Sequence, residues 1–216
     1  MSKQIKDRLF VFNNIFFLIT TAIVLTLLIA PFIHMADVKK YGLDVYSHLS
    51  QAQIKDEMTR LVGYLWLWHR QPLELHYFPM SETGVIHFAE VKVFVDIIQV
   101  VWIISSVIFV NGTYQRLKRK EILFFKQSAH VTMFILITLM LFGIVAFDKL
   151  FVLFHQIVFR NDYWMFSSVT DPVIKILPEQ FFMHGFFAIV GFVFVLCFGF
   201  IGIYHFYINQ ARKNME

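Results

Sequence analysis

A single cysteine among 216 residues, Cys197, leaves no partner for an intrachain disulfide. It lies inside an apolar run, where a thiolate would be poorly solvated, so it reads as a packing residue and not as a nucleophile. Charge is scarce too. Asp, Glu, Lys and Arg make up 16% of the chain, short of the roughly 25% that an average soluble domain carries. There is no Gly-x-Ser-x-Gly elbow, no His-Glu-x-x-His, no Walker loop and no Cys–His metal spacing. Serine-hydrolase, zinc-peptidase and nucleotide-hydrolase chemistry therefore lack support, and no metal or other cofactor is expected. No internal repeat, low-complexity tract or flexible linker interrupts residues 1–216, which read as one domain.

What fills the space is apolar. Hydrophobic residues account for 58% of the chain, with 27 phenylalanines, and the mean hydropathy is +0.63. That composition is an all-α polytopic membrane protein, with most phenylalanines facing lipid and some lining an acyl-chain pocket. Four apolar runs, 9–36, 93–114, 127–147 and 181–210, supply the roughly 20 residues that a spanning helix needs. The first follows the basic stretch Met1–Arg8. It is too long for a signal peptide and has no small-x-small cleavage site after it, so it is read as a retained span.

The cations are clustered. Lys3, Lys6 and Arg8 precede the first run, Arg116, Lys118, Arg119, Lys120 and Lys126 crowd one loop, and Arg212 and Lys213 follow the last run. The positive-inside rule then puts both termini and that loop in the cytoplasm. It leaves the two other connections, 37–92 and 148–180, to form an extracellular cap. The basic loop sets topology, and no nucleic-acid partner is expected. Asn111-Gly112-Thr113 looks like a glycosylation sequon but adjoins the basic side, so it reads as a turn.

Within the cap, Ile54, Met58, Leu61, Val62 and Leu65 recur at helical spacing after Ser50, a candidate N-cap, and Gln71-Pro72 ends the pattern. With Trp66 and Trp68 beyond, this is an amphipathic helix suited to the membrane interface. Phe151, Phe154, Ile157 and Val158 form a second amphipathic stretch, and Asp171 caps a short helix that begins at Pro172.

Topology sorts the histidines. His130 and His205 fall at the inner ends of spans, whereas His34, His87, His155 and His184 lie at the outer face. His34, His48, His69, His76, His130 and His205 read as interfacial hydrogen-bonding residues. His87 and His155 stand apart, because each borders a membrane segment and is followed by groups able to orient an imidazole: Glu90 after one, Asn161 and Asp162 after the other. Two imidazoles at a water-poor interface can work as an acid and base pair near neutral pH. His184 is a third candidate, suited to a supporting hydrogen bond. Two other readings fit four histidine-bearing spans. One is a small b-type haem protein, ligated by His34 with His184 or by His130 with His205; the other is a non-enzymatic scaffold or sensor.

The segments Ile86-His87-Phe88-Ala89-Glu90-Val91-Lys92 and Phe154-His155-Gln156-Ile157-Val158-Phe159-Arg160-Asn161-Asp162-Tyr163-Trp164 carry a resemblance. Together with Asp171-Pro172-Val173-Ile174-Lys175-Ile176-Leu177-Pro178 and Phe181-Phe182, they are similar to the lipoprotein intramolecular transacylases (Lit) of Gram-positive bacteria. Family members often carry aspartate where this chain has Glu90. The resemblance implies four transmembrane helices under an extracellular cap. It also implies transfer of the sn-2 acyl chain of a lipoprotein's diacylglyceryl group onto the amine of that lipoprotein's N-terminal cysteine. A diacylglyceryl-modified lipoprotein and membrane lipid are then the partners, and two catalytic histidines fall on His87 and His155. Glu90, Asn161, Asp162, Trp164 and Asp171 are the residues expected to support them and bind substrate, with an amide or carboxylate on a histidine and the indole against acyl chains.

Overall fold

Leucine-, isoleucine- and phenylalanine-rich runs without interior glycine clusters favour continuous helix, since in lipid every backbone polar group must be satisfied within its own segment. The computed structural model describes residues 2–214. It has six α-helices: α1 (Lys3–Tyr41), α2 (Leu43–Ser47), α3 (Gln51–Tyr64), α4 (Glu82–Lys118), α5 (Leu123–Val158) and α6 (Glu179–Lys213). A 3₁₀ turn, Pro172–Lys175, precedes α6. Helices α1, α4, α5 and α6 are each long and apolar enough to cross a membrane. They are 39, 37, 36 and 35 residues long, and at about 1.5 Å per residue each exceeds a hydrocarbon core of about 30 Å.

All four helices therefore overrun the expected spans, and the extra turns matter. His87, Glu90 and Lys92 sit on α4 itself and not in an approach to it, and His155 sits on α5. Asn111-Gly112-Thr113 is not a turn but part of α4. Asn111 Nδ2 donates to the Val107 carbonyl one turn back at 2.9 Å, and a Cβ at Gly112 would fall 2.2 Å from the Phe10 ring. Glycine there serves a close approach and not a bend. Pro31 is likewise inside α1. In α5 the helical geometry breaks at Ala146 (φ −153°, ψ 59°), next to the expected end of the third span, and resumes to carry Phe151, Phe154 and His155.

Two compact units emerge. The first gathers residues 2–25, 99–141 and 188–214. Lipid supplies no hydrophobic drive between helices, so packing and polar contacts must hold them. Phe17 stacks on Phe109 at 4.3 Å, and Phe200 packs against Phe109 and Phe125 at 5.4 and 5.2 Å. Fully buried Asn14 donates to Ser128 Oγ, Asn13 to the Ser105 carbonyl and Trp102 Nε1 to Thr21 Oγ1. Cys197 is fully buried here.

The second unit gathers residues 26–98 and 142–187. The deepest residues of its core are Val38, Ile54, Met58, Val173 and Ile176, each at most 2% exposed, worth about 1.5–3 kcal/mol apiece where burial removes them from water. Helix α3 starts as the sequence implies, with Ser50 and Gln53 forming a reciprocal capping box. It stops at Tyr64, before Gln71-Pro72, and beyond it Lys92 Nζ reaches the Trp66 carbonyl at 3.1 Å. The Trp66 and Trp68 rings then stack at 4.9 Å. Lys92 also pairs with Asp96.

Candidate active site

Both His87 and His155 belong to the second unit. His87 lies in the second turn of α4 and His155 in the last turn of α5. Their ring centroids are 6.0 Å apart, tilted by 34°. The two residues are 7% and 8% exposed, so both histidines are buried.

Aromatic side chains make the enclosure. Phe159 and Phe166 meet the His87 ring edge-on at 4.8 and 5.5 Å, while Phe151 and Trp164 pack on His155 at 4.1 and 4.7 Å. Inside it the nitrogens are unequally occupied. His155 Nδ1 lies 2.7 Å from the Phe151 carbonyl. A carbonyl only accepts, so Nδ1 carries the proton and the neutral ring keeps its lone pair on Nε2. His87 Nδ1 is buried with no partner, a polar atom held in reserve.

The loop after α5 closes this enclosure, and local chemistry shapes it. Arg160 turns the chain with a left-handed backbone (φ 57°). Asn161 then locks the turn: its amide donates to Glu90 Oε1 at 2.8 Å and to the Phe159 carbonyl at 3.1 Å, while its own oxygen accepts from Tyr163 N–H. Trp164 Nε1–H donates to the Asn161 carbonyl at 2.9 Å, which places the indole on His155.

The expectation that Glu90 and Asn161 would each orient a histidine is thus corrected. They bond to each other across the site, and the second carboxylate oxygen, Glu90 Oε2, is buried without a partner. Trp164 spends its ring on His155. Asp162 is exposed and stands outside the enclosure.

Asp171 is the N-cap residue of the 3₁₀ turn that begins at Pro172, as expected, but its carboxylate works elsewhere. Its side chain makes no cap bond to the 3₁₀ turn. Instead it accepts from the Ser81 N–H at 2.8 Å and from the Ser81 hydroxyl, whose oxygen in turn accepts from the Gly84 N–H at 3.0 Å. The carboxylate so closes the N-terminus of α4, the helix that carries His87. Burial opposes its ionisation, yet the Ser81 N–H, the Thr170 hydroxyl and the Ser81 hydroxyl together hold it below its ordinary 3.8. Gly84 makes room, since a Cβ there would lie 2.2 Å from Asp171 Oδ1.

The remaining histidines are engaged elsewhere. Fully buried His34 donates from Nε2 to the Ile176 carbonyl at 2.6 Å, and His184 Nδ1 lies 2.9 Å from the buried Asp37 carboxylate. Each of these rings so spends one nitrogen on a protein partner, and His34 Nδ1 is buried without one. Among the described residues no three His, Cys, Asp or Glu side chains gather as a metal site. Sequence reasoning missed Ser81, Phe159 and Phe166. Only the density of aromatics around His155 hinted at the latter two.

The chain and its fold are similar to those of known proteins. The family model of the lipoprotein intramolecular transacylase Lit matches residues 8–182. No curated protein matches significantly. Among solved structures, the membrane-integral lipoprotein intramolecular transacylase Lit from Bacillus cereus agrees with a TM-score of 0.90 at 29% identity, over 98% of this chain and 100% of that one. A form of the Bacillus cereus protein with one histidine replaced by arginine gives 0.84 at 28% identity, over 98% and 96%. With this fold, these four helices and that family match across most of its length, the chain belongs to the lipoprotein intramolecular transacylase (Lit) family and is a membrane-integral acyltransferase.

Proposed function

We propose that this acyltransferase moves the sn-2 acyl chain of a diacylglyceryl-modified lipoprotein onto the α-amine of the same lipoprotein's N-terminal cysteine, with His155 as base and His87 as acid. The amine attacks the ester carbonyl, an amide C–N bond forms and the C–O bond to glycerol breaks. The substrate ammonium gives up one proton to solvent, and of the amine's remaining protons one moves to the glyceryl oxygen, giving the lyso-form product. His155 Nε2 takes the amine proton, because its Nδ1 proton is tied to Phe151. His87 delivers a proton to the departing oxygen. Glu90 Oε2, one helical turn from His87 and lacking a partner, attracts the substrate ammonium before it is deprotonated.

The nucleophile belongs to the substrate, which accounts for the absence of an activated serine or cysteine. Because amine and ester share one molecule, positioning supplies most of the rate, with effective molarities of about 10⁵ M or more for well-oriented partners. The observation that carries this reading is the 6.0 Å histidine pair, with Nδ1 engaged on His155 and Nδ1 unpartnered on His87. The clustered cations support a topology with both termini in the cytoplasm, residues 37–92 and 148–180 as an extracellular cap, and the site at the outer face of a bacterial plasma membrane. Residues 1–216 then work as one membrane domain. The exposure of Asp162 and the packing of Trp164 on His155 support roles for them toward the lipid headgroup and the acyl chain.

The test is to incubate purified protein with a diacylated lipopeptide and localise the acyl group by fragmentation, since an isomerisation leaves the mass unchanged. An acyl group on the amine supports the reading; hydrolysis to free fatty acid contradicts it.

A further inference from the structure

The first unit holds a cleft of about 770 Å³ that the acyl-transfer chemistry does not use. Four cations line it, Lys3, Arg8, Arg116 and Lys120, against two anions, Asp7 and Glu121. Both anions are already taken. Lys3 Nζ holds Glu121 at 2.6 Å, and Arg116 holds Asp7 at 2.9 Å and Glu121 at 3.7 Å. Arg8 and Lys120 are left without a counter-charge, and Arg116 keeps a buried Nε with no acceptor. Arg8 and Lys120 are both exposed, and cations that share one cleft without a counter-charge attract an anion there.

Local structure aims it. Helix α4 ends in a paired turn in which Glu121 N–H reaches the Arg116 carbonyl at 2.9 Å and Lys120 N–H the Leu117 carbonyl at 3.0 Å. That turn needs a left-handed residue, the usual place of glycine, and here Lys120 occupies it at φ 58°. Leu123 and Phe124, the first residues of α5, also line the cleft. The α5 first turn has no acidic residue, and Glu121, just before it, is already paired with Lys3 and Arg116. Gln4, Gln127 and Tyr204 add polar groups to the lining, and Val11, Val131 and Ile208 give it an apolar part.

The geometry points to a binding site for an anionic phospholipid: a phosphodiester held by Arg8, Lys120 and Arg116, with acyl chains along Val11, Val131 and Ile208. The apolar part of the lining, at the ends of helices that cross a membrane, favours a lipid headgroup over free phosphate.

Native mass spectrometry of the full-length protein in neutral detergent tests this. Phosphatidylglycerol is titrated against phosphatidylcholine, with inorganic phosphate as competitor. Phosphatidylglycerol is expected to bind about tenfold more tightly than phosphatidylcholine, less so at high salt. Arg8→Gln and Lys120→Gly are each expected to weaken it about fivefold, the worth of one basic residue near an anionic surface. Lys120→Gly relieves the left-handed backbone, so its Tm should hold or rise while binding falls, which separates binding from folding. Acyl transfer to a lipopeptide in neutral detergent should be unchanged in both variants. Equal binding of the two lipids, undiminished binding by Lys120→Gly, or displacement of phosphatidylglycerol by equimolar phosphate would each overturn the proposal.

Discussion

His87 and His155 approach to 6.0 Å between ring centroids, from the second turn of one membrane-crossing helix and the last turn of another. That gap is wide enough for one small polar group to hydrogen-bond to both rings at ordinary distances of about 2.9 Å. If the two rings serve one proton path, their contributions are not independent. The double variant His87→Ala/His155→Ala should then be no more than about threefold slower than the worse single variant in single-turnover acyl transfer. Multiplicative losses would show two unconnected roles.

Asn161 ties Glu90 to the loop that carries Trp164. A hydrogen bond to a charged group is worth about 1.5–3 kcal/mol, so Asn161→Ala should lower kcat about tenfold and reduce Tm by a few degrees. Asn161→Asp should be worse at neutral pH, because it sets two carboxylates face to face. It should recover partly on mild acidification, as one of them takes a proton. Equal activity of the alanine and aspartate variants across pH would show that the contact with Glu90 does not matter.

Gly84 and Asp171 form one device. A methyl group at position 84 would meet the carboxylate at 2.2 Å, and overpacking of this kind costs about 1–3 kcal/mol. Gly84→Ala should therefore lower Tm clearly in the natural background and much less in an Asp171→Ala background, where the obstacle is gone. Additive losses would place the effect of Gly84→Ala elsewhere.

The same carboxylate gives a sign for acid. Asp171 is held below its ordinary 3.8, so its stabilising effect is fully present above that value and is lost as pH falls through the lower folded-state value. Thermal unfolding followed from pH 6 to pH 3 should show a steeper loss of Tm in the natural protein than in Asp171→Asn. Parallel curves would contradict the role given to the Ser81 donors.

Hydropathy made the four spans legible because a bilayer tolerates little else, and the Ser50–Gln53 box was readable because capping acts over three residues. The histidine pair was legible by its neighbours and its resemblance. What escaped was long-range. The Asp171 carboxylate had a local use as a cap, and only the fold shows that it turns to Ser81, distant in sequence. Glu90 and Asn161 each had a plausible histidine nearby in the chain, and their bond to one another follows from how α4 and the loop after α5 meet. Helix ends were misjudged for the same reason: polar residues such as Lys92 extend a helix when a partner such as the Trp66 carbonyl waits for them. The interruption of α5 at Ala146 has no proline or glycine at the residue itself to announce it.

The most direct measurement is the single-turnover rate of acyl migration in a diacylated lipopeptide for His155→Ala and His87→Ala, read beside Tm. An imidazole acting as acid or base contributes about 10²- to 10⁴-fold, so each variant should fall by that factor with Tm within a few degrees of the natural protein. A folded variant of either kind that moves the acyl chain at the natural rate would contradict the assignment.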